Sequence, residues 1–183
     1  MVNAIATNES SPITSNTANN LMNAVSPQIL PTKDGSIWIA TIKGLIKVGL
    51  KGDYQHYTEK DGLFTSQTRA LHESSDGSIW IGYLRSSVIS RFSEERIVHV
   101  INDRTITGGC RSIKTSTDGQ KSIATAGNGL LSFDNEGVLS YKLEDNFPNG
   151  TVSRIKSTHQ KNMGSLELRM ACKRQNHSCY LFY

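Results

Sequence analysis

Two arginines, Arg69 and Arg111, stand 42 residues apart and occupy the same place in a recurring pattern. A pair of guanidinium groups held close together suits a carboxylate or a sulfated sugar, because the planar fork of N–H donors matches both. Gln67 and Ser153 add polar groups near the same positions, and these four residues are the ligand-binding candidates. The competing role for the arginines is pairing with acids on their own loops.

No catalytic set emerges beside them. The histidines are His56, His72, His99, His159 and His177, and none repeats at 42 residues or forms a His-Glu-x-x-His pair. His177, Cys179 and Cys172 lack a Cys-x-x-Cys half-site, so no metal site is expected. No Gly-x-Ser-x-Gly elbow or Walker loop occurs. No cofactor is expected, and the Asp and Glu residues fall mostly in turns.

The elements that position the arginines come from the repeat. Asp34-Gly35-Ser36-Ile37-Trp38-Ile39 returns unchanged as Asp76-Gly77-Ser78-Ile79-Trp80-Ile81. A third copy carries Asp118-Gly119 and Ile123-Ala124-Thr125. Five residues before each Asp-Gly stands an aliphatic, Ile29, Leu71 or Ile113, and Ile155 continues the series into a fourth copy. Asp61, Asp103 and Asp145 keep the same spacing. In the second copy, strand-type runs fall at about 68–73, 78–83, 87–92 and 96–101, separated by turn residues. Asp-Gly marks a tight hairpin in which Gly supplies the positive φ. Four short strands per unit of this length predict an all-β, antiparallel β-propeller fragment, three blades plus the start of a fourth. Trp38 and Trp80 then fill gaps between blades. Arg69 and Arg111 start the innermost strands, at the mouth of a central channel where propellers bind ligands.

The chain divides into a polar leader over 1–24, expected to be disordered, blades over 25–157, and a basic tail over 158–183. Residues 1–148 hold 14 Lys/Arg against 15 Asp/Glu, whereas 149–183 hold 6 against 1. The net charge of +4 therefore belongs to the tail, and no nucleic-acid partner is expected. No apolar run reaches the length of a membrane span and no secretory signal is visible, so the chain reads as soluble and untargeted. Three cysteines make no disulfide framework. Three blades leave sheet faces uncovered, so self-association through exposed blade faces is expected.

The Asp-Gly-Ser-Ile-Trp-Ile-Gly-Tyr run and Thr58-Glu59-Lys60-Asp61-Gly62-Leu63 resemble the two-component regulator propeller repeat over residues 25–157. The third copy departs from it, with Ser122 in place of Trp and Asn146-Phe147 in place of Gly-Leu. The resemblance implies seven-bladed propellers in the extracytoplasmic sensor regions of bacterial histidine kinases, hybrid sensors and diguanylate cyclases. It also implies a periplasmic location and a non-catalytic module that binds a carbohydrate, another small anionic ligand or a protein. Alternatives are a propeller lyase of the virginiamycin B lyase type, which would need a divalent ion, a WD40-like scaffold, and a nonfunctional gene fragment. The scaffold lacks its Gly-His and Trp-Asp pairs here. Repeat character stops after Ser157: Gln160-Lys161 stands where Asp-Gly is due. A reading-frame change or truncation is the expectation drawn from that break.

Overall fold

In a computed structural model, residues 28–86, 88–102, 108–115, 119–134, 139–143, 155–158, 169–173 and 178–182 are described. They form three antiparallel four-stranded sheets, each with its strands in chain order, and a further three-stranded sheet. Blade 1 comprises β1 (Gln28–Pro31), β2 (Ile37–Thr41), β3 (Gly44–Val48) and β4 (Tyr54–Tyr57). Blade 2 comprises β5 (Thr68–Glu73), β6 (Ile79–Tyr83), β7 (Ile89–Ser93) and β8 (Arg96–Ile101). Blade 3 comprises β9 (Cys110–Thr115), β10 (Lys121–Thr125), β11 (Leu130–Phe133) and β12 (Leu139–Leu143). The four strands expected in the second copy therefore lie within two residues of those observed.

The Asp-Gly turns work by a division of labour. Gly35, Gly77 and Gly119 enter the left-handed region, at φ 84°, 81° and 88°, which Asp34 and Asp76 do not. The aspartates instead clasp the first residues of the next strand. Asp34 Oδ1 accepts from the N–H and hydroxyl of Ser36, at 2.9 and 2.8 Å. Asp76 Oδ1 does the same with Ser78, at 3.0 and 2.7 Å. The Gly77 N–H donates to Ser74 O and the Ser74 N–H to Ser78 O, closing the hairpin with one residue more than a two-residue turn.

The Thr-x-x-Asp-Gly-Leu motif builds the crossover from blade 1 to blade 2. Thr58 and Asp61 cap the single 3-10 turn Glu59–Asp61, and Gly62 ends it at φ 100°. Leu63 is then buried in the core between the blades.

Alternation along the strands decides which blade each side chain meets. Trp38, Ala40 and Leu45 leave blade 1 toward blade 2, where they meet Leu71, Ile79, Ile81 and Phe92. The Trp38 ring stands edge-on to Phe92, with centroids 4.8 Å apart. Trp80, Ala70 and Ile89 face blade 3 and meet Ile113, Ile123 and Phe133. Both tryptophans thus fill the gaps between blades.

The innermost strands β1, β5 and β9 lie side by side. The Gln28 amide clamps β5, donating to Leu71 O at 2.7 Å and accepting the Leu71 N–H at 3.0 Å. At the next joint His72 Nε2 accepts the Thr115 N–H at 3.0 Å.

The fourth sheet, β13 (Ile155–Thr158), β14 (Arg169–Lys173) and β15 (Ser178–Phe182), has the order β13-β15-β14. Its innermost strand meets β9 and β10 as a fourth blade should, with Ile155 buried. The strand beside it, however, is the last in the chain and runs parallel to it. Asp-Gly is absent at 160 and 161, and the parallel pairing of β13 with β15 spans a long connection, as parallel strands require.

Candidate functional site

Arg69 and Arg111 share a backbone irregularity that strand periodicity does not reveal. Thr68 pairs with Tyr83 and Ala70 with Gly82, so Arg69 has no partner across the strand. Cys110 pairs with Thr125 and Ser112 with Ala124, leaving Arg111 in the same condition. Each arginine is the extra residue of a β-bulge, which bends the strand and re-aims its side chain. The two bulged strands are neighbours.

Both arginines are half-buried. No carboxylate pairs with either among the described residues. Arg111 Nε is buried without a hydrogen-bond partner, which leaves a donor unsatisfied beside its bulge. Arg69 lies close enough to Cys110 to favour its thiolate, yet burial dominates and pushes that thiol up to about 12. Cys110 is therefore an inert packing residue.

The surrounding backbone differs between the two joints. In blade 2, Thr68 Oγ1 accepts the Thr41 N–H and faces the carbonyls of Thr41 and Gly44, all at 2.9 Å. Its counterpart in blade 3 is Cys110, packed so tightly that a Cβ on Gly82 would stand 2.4 Å from its sulfur. Gln67 is half-buried at the same end of β5, with its carbonyl accepting the Leu84 N–H at 2.8 Å. Gly109 repeats that bond with Ala126. A side chain is impossible at Gly109, because its Cβ would lie 1.8 Å from Leu84 O. Ser153 lies outside the described residues, as do Cys172 and Cys179 as side chains and His159 and His177 entirely.

His56 and His99 sit on the outer strands and are exposed, but both are tied down. His56 Nε2 meets Lys43 O at 2.9 Å. His99 Nδ1 meets Ser90 Oγ at 2.8 Å, and Ser90 Oγ meets Tyr83 Oη at 2.8 Å. With Ser90 and Tyr83 fully buried, this chain of bonds braces blade 2 and offers no accessible nucleophile.

At the opposite end of the blades lies a cleft of 740 Å³ that sequence reasoning missed. Both Asp-Gly-Ser turns reach it, with Lys47, Arg91 and Glu95 between them. Lys47 lies opposite Trp38 and Arg91 opposite Trp80, whereas the third blade pairs Ser122 with Ser132. A cation facing each tryptophan across the strand pair was the available signal, hidden by unequal loops between the second and third strands. The carboxylates here are largely engaged. Asp34 is held down at about 2 by bonds from Thr32 and Ser36, Glu73 accepts the Lys33 N–H, and Glu95 lies 3.7 Å from Lys47. Among the described residues no group of three His, Cys, Asp or Glu side chains is placed to hold a metal, and no helix is long and apolar enough to cross a membrane.

By sequence, no family model and no curated protein matches the chain. Its structure is similar to a catalytically inactive virginiamycin B lyase from Staphylococcus aureus with quinupristin, at TM-score 0.58 and 16% identity over 66% of this chain. It is also similar to the extracellular domain assigned to a hybrid two-component system from B. thetaiotaomicron, at TM-score 0.54 and 20% identity over 70%. A second structure of the same extracellular domain, assigned there to a one-component system, matches 84% of the chain at TM-score 0.56 and 17% identity. The chain spans 41% of the lyase and 22% and 20% of the two structures of that sensor domain. These likenesses support, at the level of fold, the resemblance carried by the repeat. The chain has the β-propeller fold, shared with the extracellular domain of a bacterial sensor system and with a lyase.

Proposed function

We propose that the chain is a non-catalytic recognition module of a sensory propeller, binding an anionic ligand where its innermost strands begin. One observation carries this reading: the same bulge, in two adjacent blades, lifts an arginine out of strand pairing with no acid to neutralise it among the described residues. Two guanidinium groups so placed fit a carboxylated or sulfated sugar, and Gln67 stands at the same mouth. The likeness to sensor extracellular domains supports the assignment to signalling. In a membrane-anchored receptor such a module would face the periplasm.

Polygalacturonate and heparin oligosaccharides are suitable probes. Stabilisation of the chain by either should disappear in Arg69→Ala/Arg111→Ala, with the ligand-free melting temperature nearly unchanged. A persistent shift in the double variant would remove the arginines from the site. A large loss of ligand-free stability would assign them to packing instead.

The likeness to virginiamycin B lyase sustains a second reading, catalysis on a cyclic peptide. Incubation with quinupristin and a divalent cation decides between them. Turnover of quinupristin that depends on the cation would establish the lyase; unchanged quinupristin is expected.

A further inference from the structure

An exposed histidine on the outer strand of blade 2 ends a buried chain of hydrogen bonds that runs in one direction. Tyr83 Oη accepts the Phe64 N–H at 3.0 Å and meets Ser90 Oγ at 2.8 Å, and Ser90 Oγ meets His99 Nδ1 at 2.8 Å. Each hydroxyl carries one proton, so the protons can be counted. Burial raises the pKa of the Tyr83 phenol, which therefore keeps its proton. Tyr83 Oη has no further partner among the described residues, so its O–H donates to Ser90 Oγ. Ser90 in turn donates to His99, and Nδ1 is the bare nitrogen of a neutral ring.

A protonated imidazole carries N–H on both nitrogens and cannot accept this bond. If the ring turns away, the Ser90 hydroxyl loses its acceptor; if the chain of bonds reverses, the Tyr83 hydroxyl does. Tyr83 and Ser90 are each 0% exposed, so bulk water does not reach the orphaned donor. We propose that His99 is a proton-sensitive latch on the crossover between blades 1 and 2, closed while its ring is neutral and released by protonation. The latch holds Phe64, whose ring is 46% exposed. That ring stands edge-on to His99 with centroids 5.8 Å apart and lies 6.0 Å from the Tyr83 ring. Tyr83 also pairs with Thr68 beside the Arg69 bulge, so release reaches the start of β5. The charged side chains on the elements packed against His99 are Glu59, Lys60 and Asp61 of the 3-10 turn, Arg91 on β7, and Arg96 on β8 itself. No carboxylate pairs with the ring among the described residues. Ser66 lowers the pKa of Glu59, and the charge of Glu59 acts on Tyr83. The added proton on His99 thus finds no anion to offset the broken chain.

Amide exchange of Phe64 in the full chain, expressed as protection relative to a free peptide at each pH, tests the latch. Between pH 8 and pH 5, where imidazoles ordinarily gain their proton, protection should fall on the order of 10-fold. His72 titrates lower, at about 4, and does not act in this range. In His99→Gln the side-chain oxygen can still accept from Ser90 but cannot titrate, so protection should stay level. His99→Phe keeps a ring beside Phe64 but accepts nothing, and should show low protection at both pH values. The Ile81 amide, inside β6, should keep its protection in all three proteins, which separates release of the latch from unfolding. Nitrogen shifts of the His99 ring at pH 8 should report a bare Nδ1. A level wild-type profile, an equal fall in His99→Gln, full protection in His99→Phe, or an Nδ1–H ring at pH 8 overturns the proposal.

Discussion

His72 couples one inter-blade hydrogen bond to solution pH. Burial lowers its pKa from 6.5 to about 4, with Lys114 and Lys121 adding repulsion, and its Nε2 must stay unprotonated to accept the Thr115 N–H. The unfolded chain takes up this proton near pH 6.5, the folded chain only near pH 4. Its contribution is therefore complete above about pH 6.5 and is lost as pH falls toward 4, amounting to roughly 3 kcal/mol. In His72→Gln the amide oxygen can still accept the bond but cannot titrate. Thermal melts should show wild type losing stability between pH 6.5 and 4, with a visibly flatter profile for the variant. Parallel profiles would mean that other groups govern that window. Asp34 and Asp76 titrate lower, because their hydroxyl and backbone bonds depress them, and they act in a separate acid limb.

Between blades, the elements approach to backbone contact, and glycine marks the places. Gly109 and Gly77 separate two reasons for having no side chain. Gly77 needs its left-handed φ of 81° and has open space around it, whereas Gly109 needs room beside Leu84 O. Gly77→Ala should cost about 1–2 kcal/mol through backbone conformation alone. Gly109→Ala must push two blades apart and should cost more, about 3 kcal/mol. Urea denaturation of both variants measures the order. Equal losses would show that the joint between blades 2 and 3 yields easily. The Arg bulges belong to this scale too: they lie where the first strand of a blade bends to meet the end of the second.

Across the whole molecule, protection should track the number of packed faces. The central strand β6 is covered by blades 1 and 3, and β10 by blade 2 and the last sheet, whereas among the described residues β2 is covered by blade 2 alone and Ile37 on its other face is exposed. Hydrogen exchange in dilute solution should therefore protect 79–83 and 121–125 above 37–41. Equal protection of all three strands at high dilution would contradict the stack of blades.

A 42-residue period, Asp-Gly-Ser turns and alternating Ile and Trp made the blades legible, because each is a local pattern with a local cause. The glycine conformations and the strand limits arise from spacing within one repeat. Arg69 and Arg111 were also visible as an equivalent pair. Their bulges were not, since a bulge is a property of two strands in register and leaves no mark on one. The basic side chains opposite the tryptophans were hidden in the same way, by unequal loops that shift Lys47 and Arg91 out of the 42-residue register while cross-strand pairing aligns them. After Ser157 the pattern ends, and long-range contact alone decides the pairing of the last strands. There β15 joins β13 in parallel, a pairing between distant segments that no local signal announces. Likewise Ile29 and Leu71 look alike in sequence, and only the presence of a neighbouring blade separates an exposed side chain from a buried one.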